Sequence, residues 1–215
     1  MILMKKRGIF ITFEGIDGSG KSTQAKLFVD YLQKKHIRLL STREPGGPSI
    51  AEKIREIILS NDNKEMANET ELLLYMASRS QHTYEWIIPT LENGIHVICD
   101  RYYDSTTAYQ GAGRKVDLQA INFIRKFATY GLVPDLTFVI DLPAKTATER
   151  TKEKILDRLE QSGLEFFTRS RQMFLDIAKV EPERFYVLDG KQSIEVIQEE
   201  IVGVVDKRFP NIYKI

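Results

Sequence analysis

The chain has 215 residues, 42% of them hydrophobic, enough to bury a sizeable core without disulfide or metal staples. Its 31 Lys and Arg against 30 Asp and Glu leave a net charge of +1, which gives no global pull toward nucleic acid or a membrane surface. The single cysteine, Cys99, excludes an intrachain disulfide and fits a reducing compartment.

In chain order, Met1–Arg7 runs apolar before basic, the reverse of a secretory leader, and no apolar run reaches membrane-spanning length. A cytoplasmic protein is expected. Five short apolar runs read as buried parallel strands: Ile9–Phe13, Ile37–Leu40, Val97–Cys99, Leu136–Ile140 and Phe185–Leu188. Cys99 is then a buried strand residue rather than a reactive thiol. Helical patterns fall between the strands over Lys21–His36, Ile50–Leu59, Glu69–Trp86, Leu118–Tyr130, Lys145–Leu159, Leu164–Val180 and Ile194–Phe209. Gly131 and Gly163 punctuate helix ends, and Pro89 falls where the Glu69 helix should bend or stop. The alternation predicts an α/β fold: an open, doubly wound, five-stranded parallel sheet flanked by helices. No repeat or linker divides it, so residues 1–215 read as one domain.

Directly behind the first strand stands Gly15-Ile16-Asp17-Gly18-Ser19-Gly20-Lys21-Ser22, followed by Thr23. Gly, four residues, then Gly-Lys-Ser is the pattern of a phosphate-binding loop. Its glycines let backbone N–H groups curl around an anion, and a helix beginning near Gly20 points its positive end at the same place. Lys21 adds a cation for the terminal phosphates, and the Ser22 hydroxyl suits Mg²⁺. The implied ligand is a nucleoside triphosphate.

Ligands of such sheets collect at the carboxyl ends of the strands, where the remaining unusual residues lie. Thr42-Arg43-Glu44-Pro45-Gly46-Gly47-Pro48 is a shaped loop after the second strand. Arg55, one turn beyond Ala51, either joins the same pocket or lies on the surface. In the Glu69 helix, Leu72, Tyr75, Met76, Arg79 and Thr83 share a face, with a stacking ring one turn before a planar donor fork. Asp100-Arg101 closes the third strand. This is either a structural ion pair or a carboxylate for Mg²⁺, held directly or through water, beside a phosphate-binding guanidinium. The Tyr102, Tyr103, Ser105, Thr106, Tyr109 and Gln110 cluster suits a sugar or base. Further on, Arg150, Lys154 and Arg158 repeat at a helical spacing, either as a solvated face or as a lid over about residues 148–160 that brings cations to a transferred phosphoryl group. An Asn-Lys-x-Asp guanine signature is missing, since Asn63-Lys64-Glu65 does not qualify. Arginines and aromatics outside the phosphate loop instead indicate a second, phosphorylated small molecule and a nucleotide or nucleoside monophosphate kinase.

In order along the chain, Phe13 to Thr23, Thr42 to Gly47, Tyr75-x-x-x-Arg79, Asp100-Arg101-Tyr102 through Tyr109-Gln110, and the lid with Phe166-Phe167-Thr168-Arg169 resemble the bacterial type of thymidylate kinase over essentially the whole length. The resemblance implies the P-loop NTPase fold and ATP-dependent, Mg²⁺-requiring phosphorylation of dTMP to dTDP in a homodimer, with neither nucleic acid nor membrane as a partner. It places Asp17 at the acceptor sugar or its metal, Tyr75 on the thymine ring, and Arg79 in hydrogen bonding to it. Arg101, with Arg43 or Arg55 near Pro45, would hold the acceptor phosphate. Ser105, Thr106 and Gln110 fall at acceptor-site positions, and Tyr109 where a ribose 2′-hydroxyl is disfavoured. Arg150, Lys191 and Gln192 resemble adenine-binding elements. Lys21, Asp100, Arg101, Arg150 and Lys154 would be catalytic, with Ser22 and Asp100 on the metal. Gly18 stands where one branch of the family has a catalytic arginine, which assigns that charge to the lid, with Lys154 favoured. The alternatives are a deoxynucleoside kinase, another pyrimidine monophosphate kinase, or a non-catalytic nucleotide-binding switch.

Overall fold

A computed structural model describes residues 7–151 and 156–213. Strands β1 (Phe10–Glu14), β2 (Leu39–Arg43), β3 (His96–Asp100), β4 (Leu136–Asp141) and β5 (Phe185–Asp189) form one parallel sheet in the order β2-β3-β1-β4-β5. The expected α/β, doubly wound architecture is therefore what forms.

Alternation along β1 decides what each face buries. Ile11 and Phe13 point to one side and pack with Ile98, Phe138 and Leu188 under α1 (Lys21–Lys34) and α9 (Ile194–Arg208). Phe10 points to the other and meets Val97, Cys99 and Tyr102. Val139 on that side packs with Tyr109, Phe166 and Phe174, the last two from α8 (Leu164–Val180). The register pairs Phe13 and Arg43 each with Asp100. Strands β1, β2 and β3 thus end level, and the residues following them are delivered to one place.

Four departures from the sequence pattern matter for the site. Strand β2 begins later than the Ile37–Leu40 run, because buried Ile37 seals the end of α1 with its N–H on the Leu32 carbonyl at 3.1 Å. As an edge strand, β2 tolerates the polar Ser41-Thr42-Arg43 that the apolar pattern excluded. The Glu69–Trp86 pattern forms as α3 (Asn68–His82), preceded by α2 (Ser49–Leu59) and continued by a π-helical turn, Thr83–Ile87. Pro89 then sits in the first turn of a new short helix, α4 (Ile88–Glu92), where its missing N–H costs no bond. After β3, α5 (Tyr103–Thr106) runs into a second π-helical stretch, Thr107–Gly113, ahead of α6 (Leu118–Ala128).

The fourth departure is the lid. Helix α7 spans Ala144–Thr151, and Lys152–Ile155 lie outside the described residues, so the expectation for Lys154 falls there. The pattern Lys145–Leu159 is not one helix. Asp157 turns the chain by accepting the Leu159 and Glu160 N–H groups at 2.9 and 2.8 Å, which starts the 3₁₀ turn Glu160–Ser162. Arg158 leaves the predicted cationic face, because its Nε donates to the Ile58 carbonyl of α2 at 2.9 Å.

Candidate active site

The phosphate loop leaves β1 after Glu14 and enters α1 at Lys21, with Gly20 in the left-handed region at φ 100°. Lys21 is buried and sits 3.3 Å from Asp17 Oδ1. That oxygen also meets the Arg101 guanidinium at 2.5 Å, while Tyr109 donates to Asp17 Oδ2 at 3.0 Å. Burial opposes the charge on Asp17, but Arg101 and Lys21 more than offset it and hold the carboxyl well below the usual range. One carboxylate therefore fixes the two cations nearest the loop. Arg101 has a left-handed backbone, φ 70°, an uncommon conformation for a residue with a side chain. Its N–H on the Phe13 carbonyl at 2.9 Å and its guanidinium bonds to Gly15 O and Ser105 Oγ hold it there.

A cleft opens between the ends of β1, β2 and β3 and the face of α3. Tyr75, Arg79, Arg101, Thr106, Tyr109 and Gln110 line its inner part, and Arg43, Pro45 and Arg55 its outer part. Glu71, Tyr75 and Arg79 recur every fourth residue and are all buried on α3. Arg79 gives Nε to Glu44 at 2.7 Å and Nη1 to Thr106 Oγ1 at 2.8 Å. Glu44 in turn holds His82 Nδ1 at 3.0 Å, and His82 Nε2 reaches Thr42 Oγ1 at 2.8 Å. The loop after β2 is thus strapped to α3 by buried charge. Arg43 grips Glu52 through two bonds of 2.9 and 3.1 Å, and Arg55 donates to Pro45 O at 2.7 Å. Burial, with Arg43 close by, pushes Arg55 below its ordinary guanidinium value. Two cations converging at a half-open mouth make a place for an anion.

A second cleft lies on the other side of the loop. Gly18, Ser19, Gly20, Thr23, Arg150 and Gln192 are among its walls, and Lys21 and Ser22 belong to both clefts. Arg150 reaches Gly190 O at 3.4 Å, tying α7 to the turn after β5. Lys191 lies beside that wall and is exposed, outside the cleft lining. Ile16 faces inward, 1% exposed in the core, so only its backbone is available to the loop. Gly18 has φ 80°, and a Cβ there would come within 2.3 Å of the Ala147 carbonyl. The absence of a side chain is thus a packing requirement of α7 as well as a missing cation.

For a divalent cation, Asp100 Oδ1 is buried without a hydrogen-bond partner, in the cleft that Ser22 also lines. A carboxylate oxygen left open beside a hydroxyl suits a hydrated Mg²⁺. No group of three or more His, Cys, Asp or Glu that could hold a metal by itself occurs among the described residues.

The structure brings together Asp17, Lys21, Ser22, Arg43, Pro45, Arg55, Tyr75, Arg79, Asp100, Arg101, Ser105, Thr106, Tyr109 and Gln110, all expected from the sequence. Within the protein the Ser105 hydroxyl donates to Glu14 Oε2 at 2.5 Å and accepts from Arg101 at 3.0 Å, so it braces the arginine. The sequence reading missed Glu14, Glu44 and Glu71, which orient these side chains from behind. Glu71 carried a legible signal, an acid one turn before Tyr75 in the buried stripe. Glu14, closing an apolar strand, carried a weaker one.

The family model described as Thymidylate kinase matches residues 13–201. A curated thymidylate kinase of Kosmotoga olearia is 47% identical over 90% of this chain and 93% of its own length. One of Carboxydothermus hydrogenoformans is 48% identical over 93% of this chain and 98% of its own. The crystal structure of thymidylate kinase from Ehrlichia chaffeensis superposes with a TM-score of 0.77 at 35% identity, covering 93% of this chain and 99% of that one. Matching the family model through both clefts, and related at this identity over nearly full lengths, the chain belongs to the thymidylate kinase family.

Proposed function

We propose that the protein transfers the γ-phosphoryl group of ATP to the phosphate of dTMP, giving ADP and dTDP, and that residues 1–215 form one catalytic domain. The observation that carries this reading is the pair of clefts meeting at Lys21 and Ser22. A triphosphate whose tail lies in the phosphate loop and a monophosphate held by Arg43, Arg55 and Arg101 would face each other there. The acceptor is already an anionic oxygen, so the transfer needs no strong base. Position and neutralisation of charge supply the rate.

Each side chain then has a task. Lys21 and Arg101, kept in place by Asp17, meet the charge on the transferred group. Tyr75 offers a face to the base, and Arg79, fixed by Glu44, offers its remaining donor. Tyr109, pinned by Asp17 and Arg101, walls the sugar. Arg150 and Gln192 bound the donor side, and the transfer cation favoured from the sequence, Lys154, lies outside the described residues. Ser22 and Asp100 would hold Mg²⁺, which when bound screens the phosphate charges and draws them into line.

A homodimer is part of this proposal. Leu73, Tyr84, Phe123, Phe127 and Tyr130 expose apolar surface on α3, the first π turn, α6 and the turn after it, with the Tyr84 and Tyr130 rings 5.9 Å apart. A cytoplasmic setting fits the free, buried Cys99 and the absence of a membrane-spanning helix among the described residues. ADP release measured over a panel of nucleoside monophosphates tests the reaction. Turnover of dTMP well above all others is expected, and equal or better turnover of dCMP, UMP or AMP would overturn the assignment.

A further inference from the structure

Glu71 draws contacts from three side chains behind the cleft, and what it does to the cleft wall has a chemical consequence. It is 1% exposed on α3. Gln110 Nε2 donates to it at 2.8 Å, Arg114 donates Nε and Nη2 at 3.2 Å each, and Arg158 Nη2 lies 2.6 Å from its other oxygen. These partners come from the second π-helical stretch, the turn behind it, and the far end of the lid segment. Replacing such a buried charged cluster with apolar side chains of similar volume commonly costs nothing in stability, so stability does not explain it.

What the cluster does fix is orientation. Arg114, Gln110 and Arg158 together outweigh the burial cost and hold the Glu71 carboxyl below its usual range. An ionised carboxylate can only accept hydrogen bonds. Gln110 must therefore turn its amide nitrogen to Glu71, since the opposite flip would set two oxygens against each other. The amide oxygen, which has no protein partner among the described residues, is left to the acceptor cleft that Gln110 lines. The cleft wall is thereby an acceptor at that point. An acceptor pairs with a ring N–H, as in thymine or uracil, and repels the bare ring nitrogen of cytosine.

We propose that Glu71 is a positioning residue for base selection: by accepting from the Gln110 amide it sets the polarity that this side chain shows to the acceptor base. Through Arg158 the same carboxylate also docks Asp157–Leu159, at the rim of the cleft, onto α2 and α3. The proposal rests on the dTMP reading above.

Glu71→Gln tests it. The variant keeps the volume but places an amide that can itself donate to Gln110, and so allows Gln110 to show nitrogen to the base. The ratio of kcat/KM for dTMP to that for dCMP is expected to fall at least tenfold, about 1.4 kcal/mol, through KM for the monophosphate, with KM for ATP unmoved. In a Gln110→Leu background the same change should leave the ratio where Gln110→Leu alone puts it. A ratio unchanged in Glu71→Gln, or a loss shared equally by both monophosphates and by ATP, overturns the role of Glu71. A second measurement needs no variant. The unaltered protein should bind N3-methyl-dTMP at least tenfold more weakly than dTMP, and equal binding overturns the acceptor orientation. Failure of the unaltered protein to phosphorylate dTMP at all would overturn the function reading instead, so the two failures are distinct.

Discussion

Arg79 is 2% exposed and charged, and Glu44, 4% exposed, is the group that answers it. Removing one partner from such a pair strands the other in the interior, at a cost of about 3–5 kcal/mol, whereas removing both spares most of it. Arg79→Leu should therefore lower stability by that order in urea unfolding, and Glu44→Leu added to it should restore part of the loss. Both variants should lose dTMP affinity, because in the proposed complex Arg79 also faces the base. If the double variant is less stable than Arg79→Leu, the pair is not the source of the cost. Lys21 is a separate case, since the proposed reaction aims its charge at a phosphate. Lys21→Ala should reduce kcat by roughly 100-fold or more with little change in melting temperature, and retained turnover would remove the loop from the mechanism. These two residues also mark how far local sequence carries. Lys21 was legible from a contiguous pattern, and Arg79 from its spacing to Tyr75. Glu44 sits in a recognisable loop, yet its burial depends on His82 and Arg79, 38 and 35 residues away, and no local pattern encodes that.

At the scale of elements, the strands and long helices followed the apolar periodicity because each buries a continuous face. The two π-helical stretches did not, because packing between elements makes them. In the second, a Cβ on Gly113 would fall 2.4 Å from the Phe166 ring of α8, so the close approach requires the missing side chain. That ring also lies 5.6 Å from Tyr109, which walls the acceptor cleft. Gly113→Ala is accordingly expected to push Phe166 and Tyr109 together, lowering the melting temperature and raising KM for dTMP more than KM for ATP. Equal effects on both substrates would mean that the strain does not reach Tyr109. The lid shows the opposite lesson. Its helical spacing was continuous in sequence, but the side chain of Asp157 competes for the backbone N–H groups and turns the chain. The cations that share a face in the sequence pattern diverge: Arg150 lines the cleft of Gly18 and Gln192, and Arg158 reaches Glu71 behind Gln110. Gly18 belongs to this scale too. Ala there meets the α7 backbone as well as a left-handed φ, so Gly18→Ala should weaken ATP binding at least tenfold, about 1.4 kcal/mol, read by titration with a non-hydrolysable analogue.

For the whole molecule, three acids with shifted proton affinities act on stability in opposite senses. Asp17 and Glu71, paired with cations, have folded values below their ordinary ones. Their contribution is present above the unfolded carboxylate range and is lost as pH falls through the folded value. Glu14 behaves in the other sense. Burial raises it, with Asp104 adding repulsion, from 4.5 to about 8, although Tyr102 N–H at 2.7 Å and the Ser105 hydroxyl both donate to it. Below pH 4.5 the folded and unfolded chains both keep this proton, and above 8 both have released it. Between those limits the folded chain holds a proton that the unfolded chain has lost, so rising pH favours unfolding. His96 opposes this over part of the window, because burial lowers it and its neutral ring accepts from Ile9 N–H at 2.9 Å while facing the Ile212 carbonyl. A bare pH profile of melting temperature therefore mixes the two. Glu14→Gln separates them, since an amide of the same shape does not titrate. The variant should gain on the unaltered protein steadily from pH 5 to about 8 and level off above it, with a final difference on the order of a few kcal/mol. A difference that stays constant over that range would show that Glu14 keeps its ordinary affinity for protons inside the fold.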